Sequence, residues 1–149
     1  MDERSPSAER AAALAPAALI EHAAAARAAL GPDGRVLVAC LCAAWCRACD
    51  AFRIEFDALA ARVPNALLVW LDIEDDAELV DGLEVEDFPT VLVQRGAEPI
   101  FFGTVLPRAA HVERLIGLPE PAAGLAAADL PDLRARLLAS LGAAGGPAP

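Results

Sequence analysis

The chain holds four cysteines, Cys40, Cys42, Cys46 and Cys49, all within ten residues of one another. The stretch Trp45-Cys46-Arg47-Ala48-Cys49 is a Trp-Cys-x-x-Cys motif. Two cysteines at this spacing can exchange with disulfides. Such exchange needs a thiolate, and a free thiol titrates only near about pH 8.5. The first turn of a helix offers unpaired N–H groups and partial positive charge, so a thiolate at Cys46 would gain from both. Arg47 adds a neighbouring positive charge and Asp50 partly opposes it. The spacing puts Cys49 about one turn further on, within bonding reach. Cys46, at the helix start beside Trp45, is the expected exposed attacker. Cys49 is the expected buried thiol that resolves the mixed disulfide.

Two other readings stand beside this one. The cysteines can be small buried hydrophobes, since free cysteine is often interior. Alternatively, Cys40, Cys42, Cys46 and Cys49 can hold zinc or an iron–sulfur cluster, although structural zinc sites usually pair two knuckles across a longer spacer.

The elements that must position the motif are legible around it. Val36 to Cys42 is a near-continuous apolar run, as in a strand buried on both faces, and Cys40 and Cys42 fall on one face of it. Phe52, Phe56, Leu59 and Ala60 then recur at helical spacing, which predicts a helix from about Cys46 to Arg62, ending before Pro64. A strand thus delivers a cysteine pair to a helix start, the setting in which Cys-x-x-Cys reads as a redox motif.

Upstream, Pro16 to Leu30 reads as one helix, with Leu19, Ile20, Ala23, Ala26 and Leu30 on its inner face and His22 at the surface. Gly31-Pro32-Asp33-Gly34 ends it. Downstream, Ala66 to Asp72 is a second buried strand. Glu74-Asp75-Asp76 can cap a short helix from about Ala77 to Leu83. Val91 to Gln94 and Pro99 to Gly103 form a hairpin across Arg95-Gly96-Ala97-Glu98. Pro107 opens a helix to about Ile116, with Val112, Leu115 and Ile116 inward and His111 exposed. A Pro/Ala/Gly linker follows from Leu118 to Gly124. Asp129-Leu130-Pro131 reads as a cap for a last helix that turns Leu130, Leu133, Leu137, Leu138 and Leu141 to one face, which packs on the domain or docks a partner.

The 149 residues suggest one domain, and an apolar fraction of 56% is ample for a core. A net charge of −10 argues against nucleic acid and anionic membrane surfaces as partners. No apolar run is long enough to span a bilayer. The first ten residues carry three acidic and two basic side chains, so they lack the positive start of a signal peptide. A cytoplasmic protein is the expectation, and there a cysteine pair is more often catalytic than structural.

From Val36 to Gly117 the chain resembles the thioredoxin family. The resemblance rests on the apolar strand, Trp45-Cys46-Arg47-Ala48-Cys49, Phe88-Pro89-Thr90, and a hairpin ending at Gly103 before a further helix, in that order. It implies an α/β thioredoxin-like fold with a mixed central sheet of about four strands flanked by helices, plus an extra C-terminal helix. The implied organisation is a flexible start over 1–15, a domain over 16–117, and a linker, helix and tail over 118–149. It implies a cis Phe88–Pro89 peptide, and a groove lined by Trp45, Phe88, Pro89 and Gly103 in which a substrate strand pairs beside the cysteines. The implied activity is reduction of protein disulfides by Cys46 and Cys49, with electrons from a separate thiol reductase and with no metal or bound cofactor, in the service of cell redox homeostasis. A non-catalytic interaction or assembly module on the same fold is the alternative.

Several positions differ from the family's pattern. Arg47-Ala48 replaces the familiar Gly-Pro, which should alter the redox poise. Cys40 stands where the family has a buried acid, Trp70 where a lysine often accompanies it, and Cys42 where a tryptophan is common. Cys40 is therefore either an inert core residue or a third redox thiol able to exchange with Cys49.

Overall fold

The computed structural model describes residues 12–31, 34–123, 125 and 130–145. Strand β1, Val36–Cys42, lies between two neighbours of opposite sense. It pairs parallel with β2, Ala66–Asp72, and antiparallel with β3, Thr90–Arg95. The strand β4, Glu98–Thr104, closes the hairpin with β3, so the sheet has four strands in the order β2-β1-β3-β4. Gly96 makes the hairpin turn with φ of 62°, a backbone that residues with a Cβ rarely adopt.

The sheet alternates, and its two faces bury two different clusters. Val38, Cys40, Cys42, Leu68, Val91 and Val93 face one side. There they meet Phe52, Phe56 and Leu59 of the helix α3, Arg47–Arg62, and Val112 and Ile116 of the helix α5, Ala109–Ile116. Leu37, Ala39, Leu41, Leu67, Val69, Leu71 and Leu92 face the other side, against Leu19, Leu30, Leu133, Leu137 and Leu141. A strand with apolar residues at every position needs two covered faces, and both are covered here.

The second face is covered by three helices. The helix expected from Pro16 to Leu30 is two, α1 at Pro16–Glu21 and α2 at Ala23–Leu30, parted at His22 with φ −119° and ψ 49°. The break lets both pieces pack on the C-terminal helix α6, Leu133–Gly145. Leu19, Ala26 and Leu30 are buried as expected, whereas Ile20 is 38% exposed. Residues 12–15, expected in a flexible start, are tied to the sheet. Leu14 bridges Val69 in parallel, donating to the Leu68 carbonyl and accepting from the Trp70 N–H. The Ala13 N–H donates to Asp57 Oδ1 at 3.0 Å. One bridging residue thus takes the place of a strand at this sheet edge.

The fourth helix α4, Ala77–Val80, is shorter than expected. Asp81, at ψ 131°, takes the chain out of helical backbone, and Gly82 follows at φ 88°. The acidic run before it makes a turn rather than a side-chain cap. Asp72 Oδ1 accepts from the Glu74 and Asp75 N–H groups, and Asp76 Oδ2 accepts from the Asp72 N–H. Burial, opposed by that backbone bond, raises the Asp76 carboxyl above its ordinary range.

Helix α5 begins at Ala109, two residues later than Pro107, because its end groups are met from other elements. Glu55 of α3 accepts from the Ala109 N–H at 2.8 Å, and Arg95 of β3 donates to the Leu118 carbonyl at 2.7 Å. An acid at the N-terminus and a cation at the C-terminus both suit the helix dipole. Arg62 also pairs with Glu113. His111 is half-buried, not exposed, since its Nδ1 accepts the Leu106 N–H at 3.0 Å.

The C-terminal helix packs on the domain. Arg134 donates to the Leu30 and Gly96 carbonyls, Arg136 to those of Leu79 and Asp81, and Arg27 of α2 to that of Leu141. Asp129 lies outside the described residues, and the capping side chain is Asp132, whose Oδ1 accepts the Ala135 N–H at 3.1 Å. The same oxygen accepts from Nε2 of the buried Gln94 at 2.5 Å. Asp132→Ala removes the cap, worth about 1 kcal/mol. It also costs a buried amide one of its partners, worth about 1–3 kcal/mol. The expected loss of about 2–4 kcal/mol should appear as a lower urea midpoint with an unchanged slope.

Candidate active site

The site is built where β1 ends and α3 begins. Cys40 and Cys42 point from β1 toward α3, as strand alternation requires. The chain then turns tightly, the Cys46 N–H donating to the Ala43 carbonyl at 3.0 Å. Cys46 is the N-cap of α3 in extended backbone, and its carbonyl accepts the Asp50 N–H. Its side chain makes no capping bond, so the helix's first N–H groups remain available to an anion beside it. Cys46 is half-buried and free, while Arg47, Ala48 and Asp50 are exposed around it.

One helical turn inward, Cys49 is buried at 1% exposure. Its sulfur is bonded to Cys42, which is buried to the same degree, with Cα atoms 5.9 Å apart. The bond seen is therefore Cys42–Cys49, and not one between the two cysteines of the Cys-x-x-Cys motif. The Cys40 sulfur lies 3.7 Å from that of Cys42 and is not bonded to Cys49. Burial pushes the Cys40 thiol far above the ordinary thiol range, against a smaller opposing effect of the Arg53 charge. Arg53 itself lies 4.8 Å over the ring of Trp70, which is the β2 partner of Cys40, and pairs with Asp57. Two sulfurs bonded to each other are not arranged as a metal cage. Among the described residues no group of three or more His, Cys, Asp or Glu side chains is arranged to hold an ion.

The other expected groove residues divide. The Phe88–Pro89 peptide is cis. Trp45, 65% exposed, meets Phe88 edge to face with ring centroids 5.5 Å apart. Pro89 is buried, and its carbonyl accepts the Val105 N–H at 3.0 Å. Trp45, next to Cys46 in the chain, and Phe88, next to Pro89, thus bring the cysteine motif and the cis peptide together. Gly103 pairs with Val91 inside β4 and lines a groove of about 560 Å³ with Glu84, Glu86, Thr90 and Thr104. Two residues on, the Val105 N–H meets the Pro89 carbonyl.

A smaller cavity of about 330 Å³ reaches Cys49 between Ala15 to Ala17, Ala43, Ala44 and Trp70. Asp50, Asp72, Asp75 and Asp76 rim it. The role of Cys42 had only a weak signal in the sequence: it shares a face with Cys40 and sits on the last residue of the strand that leads into the motif.

A parallel pair extended by an antiparallel hairpin, a Cys-x-x-Cys at a strand-to-helix turn and a facing cis proline together define a thioredoxin fold with its thiol site. The thioredoxin family model matches residues 21–110, and the chain belongs to the thioredoxin family. A provisionally named thioredoxin H10 of Arabidopsis thaliana is 37% identical over 59 residues, which are 40% of this chain and 38% of that protein. The match thus spans well under half of that relative's length. Among solved structures, thioredoxin NaTrxh from Nicotiana alata superposes with a TM-score of 0.56 at 15% identity, over 78% of this chain and 96% of that one. Thioredoxin from Trypanosoma brucei brucei gives 0.56 at 14% identity, over 78% and 95%. These likenesses establish the fold. No helix among the described residues is long and apolar enough to cross a membrane.

Proposed function

We propose that the protein is a thiol–disulfide oxidoreductase that reduces disulfides in protein substrates. The observation that carries this is a free, half-exposed Cys46 thiol at a helix N-terminus, one turn from a Cys49 already engaged in a disulfide. Once the Cys42–Cys49 bond has been reduced, Cys46 thiolate attacks one sulfur of the substrate disulfide and expels the other as a thiolate. Cys49 then attacks Cys46 Sγ, freeing the substrate's second thiolate and leaving both oxidising equivalents on the enzyme. The first N–H groups of α3 hold the charge on Cys46 when it attacks and when it leaves. Arg47, exposed beside it, adds positive charge and stands where the family has glycine, while Ala48 stands where it has proline.

Trp45, Phe88 and Pro89 form the apolar surface against which the substrate segment lies. A separate thiol reductase returns the enzyme to its dithiol state, and the compartment is the cytoplasm, where reductants of this kind maintain cell redox homeostasis. The charge of −10 favours basic segments around the target disulfide. Reduced protein should cleave the interchain disulfides of insulin in catalytic amounts with dithiothreitol as electron source. Turnover no faster than dithiothreitol alone would remove the enzyme reading in favour of a binding module.

Trp45→Ala removes its aromatic contact with Phe88 and should cost about 0.5–1.5 kcal/mol of stability, no more because the ring is otherwise mostly in solvent. It also removes the apolar wall beside Cys46. The expected result is a several-fold higher KM for a protein disulfide with little change for a small one. Steady-state kinetics on both substrates checks it.

A further inference from the structure

Cys49 is bonded to the more deeply placed of its two neighbours. Cys42 and Cys49 are each 1% exposed, whereas Cys46 is half-exposed and free. A cavity touches Cys49 of the bonded pair, and four carboxylates line it, from Asp50, Asp72, Asp75 and Asp76. An attacking thiolate is an anion, and a rim of like charge disfavours its approach. A reductant in solution therefore meets Cys46 first.

We propose that the Cys42–Cys49 disulfide is a buried store for the oxidising equivalents taken from substrate, and that Cys46 is the port through which electrons enter and leave it. The proposal rests on the reading of Cys46 as the surface nucleophile. After a substrate is reduced, the enzyme holds Cys46–Cys49. Cys42, deprotonated as it attacks, forms a bond to Cys49 Sγ while the Cys46–Cys49 bond breaks. Cys46 leaves as a thiolate, and the proton that Cys42 gave passes to solvent. One disulfide is present before and after, so no external oxidant or reductant takes part. The helix N-terminus favours this direction, because it holds the departing anion at Cys46. Reduction runs the steps backward. Cys46 thiolate attacks Cys49, Cys42 returns to a thiol, and an external thiol meets the surface bond Cys46–Cys49.

The relay stops at Cys42. The Cys40 sulfur is 3.7 Å from that of Cys42, near enough for exchange. Cys40 nevertheless stays free, with Cys42 already paired to Cys49. The consequence for function is specific. The oxidised protein keeps an accessible Cys46 thiol beside its substrate surface, so it can still capture a second disulfide or a small thiol-bearing molecule.

The test measures how fast dithiothreitol reduces the protein's own disulfide. Wild type and Cys46→Ser are refolded under oxidising conditions, then reduced natively, with acid quenching, alkylation and peptide mass mapping. Wild type should map to Cys42–Cys49, with native alkylation labelling Cys46 and not Cys40. Cys46→Ser should form the same bond and lose it at least about tenfold more slowly, because the port is gone. In denaturant the two proteins should be reduced at the same rate, which shows that burial and not bond strength made the difference. Equal native rates overturn the proposal. So does a wild-type bond that maps only to Cys46–Cys49, or a Cys46→Ser protein that forms no Cys42–Cys49 bond. Insulin turnover by wild type reads the reductase function separately: a protein inert to insulin with a Cys46-gated bond retains the store and loses only the reductase reading.

Discussion

Cys46→Ser should lower disulfide reduction by at least about a thousandfold in kcat/KM, measured with insulin against the dithiothreitol background. A serine hydroxyl is not ionised near neutral pH and forms no lasting bond to sulfur, so the mixed disulfide that begins each turnover cannot form. The same substitution should not weaken the fold. Cys46 is half-exposed, makes no side-chain cap bond and occupies the N-cap of α3. Serine is among the preferred residues there, able to accept a bond from the N–H of the second or third helical residue, and can contribute up to about 1 kcal/mol. An inactive variant at least as stable as wild type is therefore the expected pair of results. If activity survives, Cys46 is not the nucleophile. If activity and stability fall together, the loss reflects unfolding.

The largest effect on stability is expected at Phe52. Its ring is fully buried in the cluster between α3 and the sheet and stacks against Phe56 and Trp70, with centroids 5.6 and 6.5 Å away. It lies one turn beyond Cys49, so it fixes how α3 seats on β1 and where Cys49 meets Cys42. Phe52→Ala deletes most of a large apolar side chain and leaves a cavity that its strand neighbours cannot close, at a cost of about 3–5 kcal/mol. Against a typical total of about 5–15 kcal/mol this is a large share. The melting temperature should fall on the order of 10 °C. Calorimetry on the reduced protein checks the value free of any change in the disulfide. A shift of only a degree or two would mean that α3 is not anchored through this ring.

The parts of the fold that were legible in the sequence are those with strong local pattern. The apolar run Val36 to Cys42, the helical spacing of Phe52, Phe56 and Leu59, and the Gly-bearing hairpin each occupy the places expected of them. Each pattern follows directly from which faces must be buried. The cis Phe88–Pro89 peptide followed from resemblance, not from periodicity. Features that depend on distant partners were not legible. The break at His22 follows from packing against α6, more than a hundred residues away in sequence. The start of α5 is set by Glu55 on another helix, and the cap of α6 is an aspartate shared with Gln94 of β3.

The site divides in the same way. The positions of Cys46, Cys49, Trp45, Phe88 and Pro89 were readable, because a strand-to-helix turn and an X-Pro step are local features. Gly103 was assigned to the groove by resemblance, and the register pairs it with Val91, two residues before the Val105 N–H that meets Pro89. The bonding of Cys42 to Cys49 depends on how far α3 sinks onto the end of β1, which no spacing rule states.

The central claim is that Cys46 carries out the first attack on a substrate disulfide. It is tested most directly by trapping the mixed disulfide. Cys49→Ser lacks the thiol that releases substrate, so mixing it with a peptide disulfide should leave one peptide bound. Mass mapping of the trapped species should place that peptide on Cys46, with Cys40 and Cys42 unmodified. A peptide on Cys42, or no adduct in a protein whose fold is intact, would contradict the account.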